Sequence, residues 1–119
     1  MDDLEKIATK LLTVRFNYRN EADLQTGIEA VLAGEGIVST REARLSAKDR
    51  IDFLTESGVG IEVKVDGSQT DVARQVGRYT RHDNVRAVLI VTTCSRHTGI
   101  PDSFNGKPVR VLYLISSMF

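Results

Sequence analysis

A chain of 119 residues is long enough to bury one core and too short for a separate targeting or specificity domain, so a single domain over 1–119 is expected to carry the whole function. Hydrophobic residues make up 41% and charged residues 27%, and no run approaches the roughly 20 apolar residues of a membrane span, which removes membrane functions. The 16 basic and 16 acidic side chains cancel, so the molecule has no general attraction for polyanions and simple coating of nucleic acid is disfavoured.

The start, Met1-Asp2-Asp3-Leu4-Glu5, is acidic where an export signal is basic, and no apolar segment follows it. Cys94 is the only cysteine, which excludes an internal disulfide and a cysteine-based zinc cluster, and an intracellular, cytoplasmic location is expected. Leu4, Ile7, Leu11 and Val14 recur at three- and four-residue steps and predict a helix over 3–14, without a strong cap. Asn20 is placed to cap a second helix, with Leu24, Ile28, Val31 and Leu32 on one side and Gly34 positioned to end it. The mixed alternation from Gly36 to Ala47 predicts a partly exposed strand.

Two short β-branched runs follow, 50–55 and 61–65, separated by Glu56-Ser57-Gly58-Val59-Gly60, and together they predict a hairpin. A third helix is expected from Thr70 to about Arg81, capped by Ser68 or Thr70, with Val72, Val76 and Tyr79 inward. Val85–Thr93 and Val109–Ile115 are nearly continuous apolar runs, as buried strands require. The predicted order is α, α, β, β, β, α, β, β, an α/β chain.

The hairpin carries the chemistry. Asp52, Glu62 and Lys64 occupy even positions, while Ile51, Phe53, Ile61, Val63 and Val65 occupy odd ones, so alternation puts the three charged groups on one face. If Asp52 lies opposite Glu62, then Thr55 lies opposite Val59, and Gly58 is available for a left-handed turn position. Two half-buried carboxylates facing each other repel, and a hard divalent cation between them relieves the repulsion. Mg²⁺ takes one or two protein carboxylates and fills its remaining positions with water and phosphate, and the Val63 carbonyl offers one more oxygen. Lys64, two residues from Glu62, is placed to hold an attacking water or to oppose charge growing on a phosphorane-like transition state.

Ile51-Asp52 followed by Ile61-Glu62-Val63-Lys64 resembles the D…EXK signature of PD-(D/E)XK nucleases, although the proline that usually precedes the aspartate is replaced by Ile51. Glu21 resembles the helical glutamate that members of this family, Holliday-junction resolvases included, use as an additional metal ligand. Gln75-Val76-Gly77-Arg78-Tyr79 resembles the Q-h-x-x-Y helix of RecB-type and lambda-exonuclease-like branches. The resemblance implies a restriction-endonuclease-like three-layer α/β/α fold around a mixed sheet, with core αβββαβ. It implies a Mg²⁺- or Mn²⁺-dependent nuclease that hydrolyses DNA phosphodiesters with low sequence specificity, with Asp52, Glu62, Lys64 and Gln75 catalytic and Glu21, Asp52, Glu62 and Val63 around the metal. DNA is the implied partner, bound by Arg74, Arg78, Arg81 and Tyr79, with a homodimer or a larger nuclease complex as the assembly.

Each assignment has a plainer competitor. Asp52, Glu62 and Lys64 also suit an exposed cross-strand salt-bridge set, Glu21 a first-turn acid serving the helix dipole, and the arginine stripe a solvated helix face. His82 and His97 lack partners at ligand spacing and read as structural or exposed, while Glu56 and Asp66 read as turn residues. Two functional alternatives stand beside the nuclease: a branched-DNA resolvase, and a non-cleaving nucleic-acid- or protein-binding module on the same fold. Alanine at Asp52, Glu62 or Lys64 is expected to abolish cleavage and leave the fold intact.

Overall fold

The computed structural model describes residues 2–114. Helix α1 (Asp3–Leu12) is capped after all: the Asp2 carboxylate accepts from the Glu5 N–H at 2.9 Å. Asn20 caps α2 (Glu21–Gly34) through the Asp23 N–H, as its position predicts, but the helix runs through Gly34 and turns off at Gly36, whose φ is +70°. Ser68 caps α3 (Gln69–Tyr79).

The strands are β1 (Ser39–Arg44), β2 (Arg50–Thr55), β3 (Val59–Lys64), β4 (Ala87–Thr92), β5 (Ser103–Phe104) and β6 (Lys107–Tyr113). They form one six-stranded mixed sheet in the order β1-β2-β3-β4-β6-β5, so the fold is α/β, with three α-helices among the described residues. β1, β2 and β3 are antiparallel neighbours, whereas β3, β4 and β6 run parallel. The short β5 and the 3₁₀ turn at Ser95–Gly99 were not signalled by periodicity, being too short to show any. Ile115, the expected end of the last strand, lies outside the described residues.

Two cores flank the sheet. On one face Leu4, Ile7, Leu11, Leu24, Ile28 and Leu32 of α1 and α2 meet Phe53, Ile61, Val63, Leu89 and Val91. On the other, Val72, Val76 and Tyr79 of α3 meet Ile51, Val88, Ile90 and Val109. Every residue of β4 is buried, which explains its unbroken apolar run.

One feature of this packing departs from simple alternation. Ile51 and Phe53 were expected on the same face, yet Phe53 joins the α1/α2 core and Ile51 the α3 core. The reversal sits at Asp52 and at Glu42 opposite it. The β1–β2 ladder pairs Arg41 with Phe53 and Ala43 with Ile51 but skips the residues between, and Glu42 has φ of +55°. A bulky residue held in the left-handed region costs about 1–3 kcal/mol and persists only where surrounding packing demands it. Here the kink lets both sides of the hairpin bury an apolar residue while Asp52 turns toward β3.

The β2–β3 turn follows its predicted register, with Phe53 opposite Ile61 and Leu54 opposite Gly60. Gly58 takes φ of +93°, and a Cβ there would lie 2.9 Å from Arg86 Cγ. Gly58→Ala is therefore expected to lower the unfolding free energy by about 1–2 kcal/mol without changing the denaturant slope, measured by urea unfolding. Wild-type stability in that variant would mean that the turn relaxes without strain.

Candidate active site

The β2–β3 ladder ends at Phe53 and Ile61, and two carboxylates continue it. The Asp52 N–H donates to Glu62 Oε1 at 3.1 Å, and the Val63 N–H donates to Asp52 Oδ2 at 2.8 Å. The strands thus fork around Asp52 and Glu62, and each side chain takes the place of a backbone acceptor on the neighbouring strand. The N–H and C=O of one strand residue point the same way, so the Val63 carbonyl also faces the fork, while the Lys64 carbonyl accepts from Thr93 N–H on the β4 side.

Glu62 is only 5% exposed. Its Oε2 accepts from the Tyr79 hydroxyl at 3.2 Å and lies 3.3 Å from Lys64 Nζ. The same hydroxyl lies 3.1 Å from the Arg50 carbonyl, so its single proton is shared between the two acceptors and one phenol ties α3 to both strands of the hairpin. Asp52 is approached from the opposite side by α2. Gln25, buried on that helix, accepts from Arg41 at 3.2 Å, and its amide lies close enough to Asp52 to pull that carboxyl downward.

Burial pushes the Glu62 carboxyl up to about 7, with the neighbouring Asp52 charge adding to the rise and Lys64 opposing it. Burial also raises Asp52, against the pull of the Val63 N–H. Glu21, at the first turn of α2, is raised by burial and then by the charge of Asp52, so it shares their field. Burial and the adjacent Glu62 push the Tyr79 phenol upward, which keeps it a donor. Among the described residues, no three His, Cys, Asp or Glu side chains come close enough to enclose an ion. Glu21 therefore does not complete a three-carboxylate cage. Asp52 and Glu62 alone match the one or two carboxylates that Mg²⁺ or Mn²⁺ needs when water and phosphate supply the rest, and the raised carboxyls gain from a cation between them.

No family model, no curated protein and no solved structure matches the chain. The arrangement of its own side chains is what speaks for its function.

The helix α3 residues separate into distinct roles. Tyr79, expected on a nucleic-acid surface, is 2% exposed and serves Glu62 instead, because its ring completes the α3 core. Gln75, expected among the catalytic groups, touches none of the three; it lines a hollow of about 330 Å³ with Arg44, Lys48, Asp49, Arg50, Arg78 and Tyr79. Arg74 is exposed and pairs with Asp71 at 3.5 Å, Arg81 is exposed, and Arg78 pairs with Asp49 at 3.1 Å. The stripe is thus split, with Arg78 alone turned to the hollow.

Sequence reasoning overlooked Asp49 and Gln25. Asp49 is buried and accepts from Arg78 and His82, and the His82 hydrogen bond is the first cause holding its carboxyl below the usual range. Nothing local marks Asp49, since its partners lie on α3 and beyond it. Gln25 carried a signal: it follows Glu21 by one helical turn and sits beside Leu24 on the buried stripe, where an amide demands a partner.

His97 is fully buried, with Nε2 2.8 Å from the Gly67 carbonyl and Nδ1 2.6 Å from Thr92 Oγ1. Because a carbonyl only accepts, the proton belongs on Nε2, and Thr92 donates to Nδ1 while accepting from the Cys94 N–H. This network holds the Gly67 turn, which carries the chain from Lys64 into α3. Glu56 and Asp66 are exposed turn residues, as expected.

The raised Glu62 carboxyl has a consequence for stability. In the unfolded chain Glu62 ionises near 4.5, but in the metal-free fold it ionises near 7. Below both values the group contributes no pH dependence; as pH rises from 4.5 to 7 the unfolded state loses its proton first, and stability falls by about 3 kcal/mol. Glu62→Gln removes this dependence. In EDTA, the stability of the variant relative to wild type is expected to rise by about 3 kcal/mol between pH 4.5 and pH 8, read from urea unfolding. A constant difference would show that Glu62 titrates as an ordinary glutamate.

Proposed function

We propose that this chain is a metal-dependent nuclease of the PD-(D/E)XK type that hydrolyses DNA phosphodiester bonds. The observation that carries the reading is the forked hairpin, where two carboxylates raised by burial meet with a lysine 3.3 Å from one of them. The succession α2, β1, β2, β3, α3, β4, with helices on both faces of the sheet, agrees with the αβββαβ core of restriction-endonuclease-like folds. A salt-bridge set on a solvated face, the plainer reading, is disfavoured because Glu62 is buried rather than solvated.

Asp52 and Glu62 would hold Mg²⁺ or Mn²⁺, with the Val63 carbonyl facing the same fork. Such an ion, when bound, supplies positive charge to the phosphate and acidifies the attacking water. Tyr79 fixes Glu62 before substrate arrives by donating to Oε2. Lys64 orients the water and offsets negative charge at the phosphorus. The water oxygen bonds to phosphorus, the bond to the leaving oxygen breaks, the water loses a proton to solvent and the leaving oxygen gains one. Gln25 and Glu21 act on Asp52 from α2, the amide of Gln25 drawing its carboxyl down and the charge of Glu21 sharing its field.

Supercoiled, linear, single-stranded and branched DNA, with RNA alongside, incubated with Mg²⁺, Mn²⁺ or EDTA, tests this directly. Cleavage is expected with either metal and not with EDTA, and loss of it is expected in Glu62→Gln and Lys64→Ala. Preference for branched DNA would select the resolvase, and failure on every substrate would favour a non-cleaving binding module. Full activity in Glu62→Gln would sink the proposal.

The fork also revises the choice of variant. Asp52→Ala strands the buried Val63 N–H and is expected to cost about 1–3 kcal/mol as well as activity. Asp52→Asn keeps an acceptor for that N–H, so it is expected to lose cleavage at near wild-type stability, checked by parallel activity and unfolding assays. Equal destabilisation in the two variants would mean that the hydrogen bond contributes little.

A further inference from the structure

We infer that the hollow between the β1–β2 turn and α3 is a phosphate subsite, which receives a backbone phosphate of the strand next to the one cut at the fork. The identity of that strand rests on the nuclease reading; the affinity for a phosphate does not.

Four cations line the hollow, Arg44, Lys48, Arg50 and Arg78, against the single carboxylate of Asp49. Two of them are held by their Nε alone: Arg78 by Asp49 Oδ1 at 3.1 Å and Arg50 by Glu42 Oε2 at 3.1 Å. Their terminal nitrogens are left with no hydrogen bond among the described residues, and these are the donors that grip a phosphate in bidentate fashion. Arg44 donates only to the Ala47 carbonyl at 3.4 Å, and Lys48 Nζ has no acceptor among the described residues. The Gln75 amide, also in the lining, has no hydrogen-bond partner among the described residues.

The floor is rigid. Asp49 is buried, its carboxylate engages Arg78 and His82, and its carbonyl accepts from the Leu45 and Ser46 N–H groups. Like charges gathered on so fixed a frame repel unless an anion lies among them. The position supplies the identity of that anion. Tyr79 forms part of the wall, and its hydroxyl reaches across to Glu62, so one aromatic ring separates the hollow from the proposed site of cleavage. A strand with one phosphate at the fork would offer a neighbouring phosphate here.

The test uses the full chain in EDTA, where no cleavage interferes, titrated with inorganic phosphate and with single-stranded DNA of about ten nucleotides. Wild type is expected to bind the oligonucleotide, with inorganic phosphate competing. Arg44→Glu with Lys48→Glu is expected to weaken binding about tenfold or more and to reduce the log–log salt slope by about 0.7 per lost phosphate contact. Arg44→Gln with Lys48→Gln is expected to show a smaller loss in the same direction at unchanged thermal stability.

Oligonucleotide binding that survives both double substitutions overturns the subsite. Saturation by inorganic phosphate with no oligonucleotide binding makes the hollow a free-phosphate site and overturns the strand assignment. If wild type cleaves DNA and the Arg44→Glu, Lys48→Glu variant binds and cleaves equally well, the subsite falls and the nuclease reading stands. Loss of binding in that variant, together with no cleavage by wild type under any condition, supports the phosphate site and removes the nuclease reading.

Discussion

The two hydrogen bonds at the fork, Asp52 N–H to Glu62 and Val63 N–H to Asp52, are the constraint on which the rest of this protein turns. A β-ladder that simply continued would satisfy the same backbone groups with carbonyls and leave both carboxylates free to swing into water. Replacing the carbonyls by side chains fixes the carboxylates in the fork and makes them part of the sheet. The hairpin accommodates this through the positive φ of Glu42 and the reversal of Ile51 relative to Phe53.

Both helical layers converge on that fork. From α2, Gln25 reaches Asp52; from α3, Tyr79 reaches Glu62 and the Arg50 carbonyl. Each is a buried polar group that would be costly without its partner, so the packing of the helices on the sheet and the orientation of the carboxylates are mutually dependent. The electrostatic consequence is a Glu62 carboxyl raised to about 7, a charge state that burial and Asp52 resist and that Lys64 or a cation favours. Such tension between fold and ionisation is common where groups are arranged for chemistry rather than for stability.

The zero net charge conceals a sorting of charge in space. Acidic groups gather around the fork, where Glu21, Glu42 and Asp52 feel one another, and basic groups gather in the hollow beyond Tyr79. A polyanion approaching this surface meets local fields that the overall balance hides.

Local rules were enough for much of this architecture. Periodicity placed three helices and the hairpin, Asn20 and Ser68 capped where their chemistry suits a cap, and the β2–β3 register followed from the turn at Gly58. The association of Asp52, Glu62 and Lys64 was legible because all three lie on one hairpin, within a few residues of its turn. What only the tertiary structure decided involves partners far apart in the chain. Tyr79 became the support of Glu62 rather than a surface group, Asp49 became the anchor of Arg78 and His82, and the arginine stripe divided. The physical reason is that alternation and helical period report which side of an element a residue occupies, whereas a buried polar group is defined by the acceptor or donor opposite it. Glu42 shows the limit most clearly: its left-handed backbone reversed two strands relative to their pattern, and only the competing demands of two cores and one carboxylate could impose it.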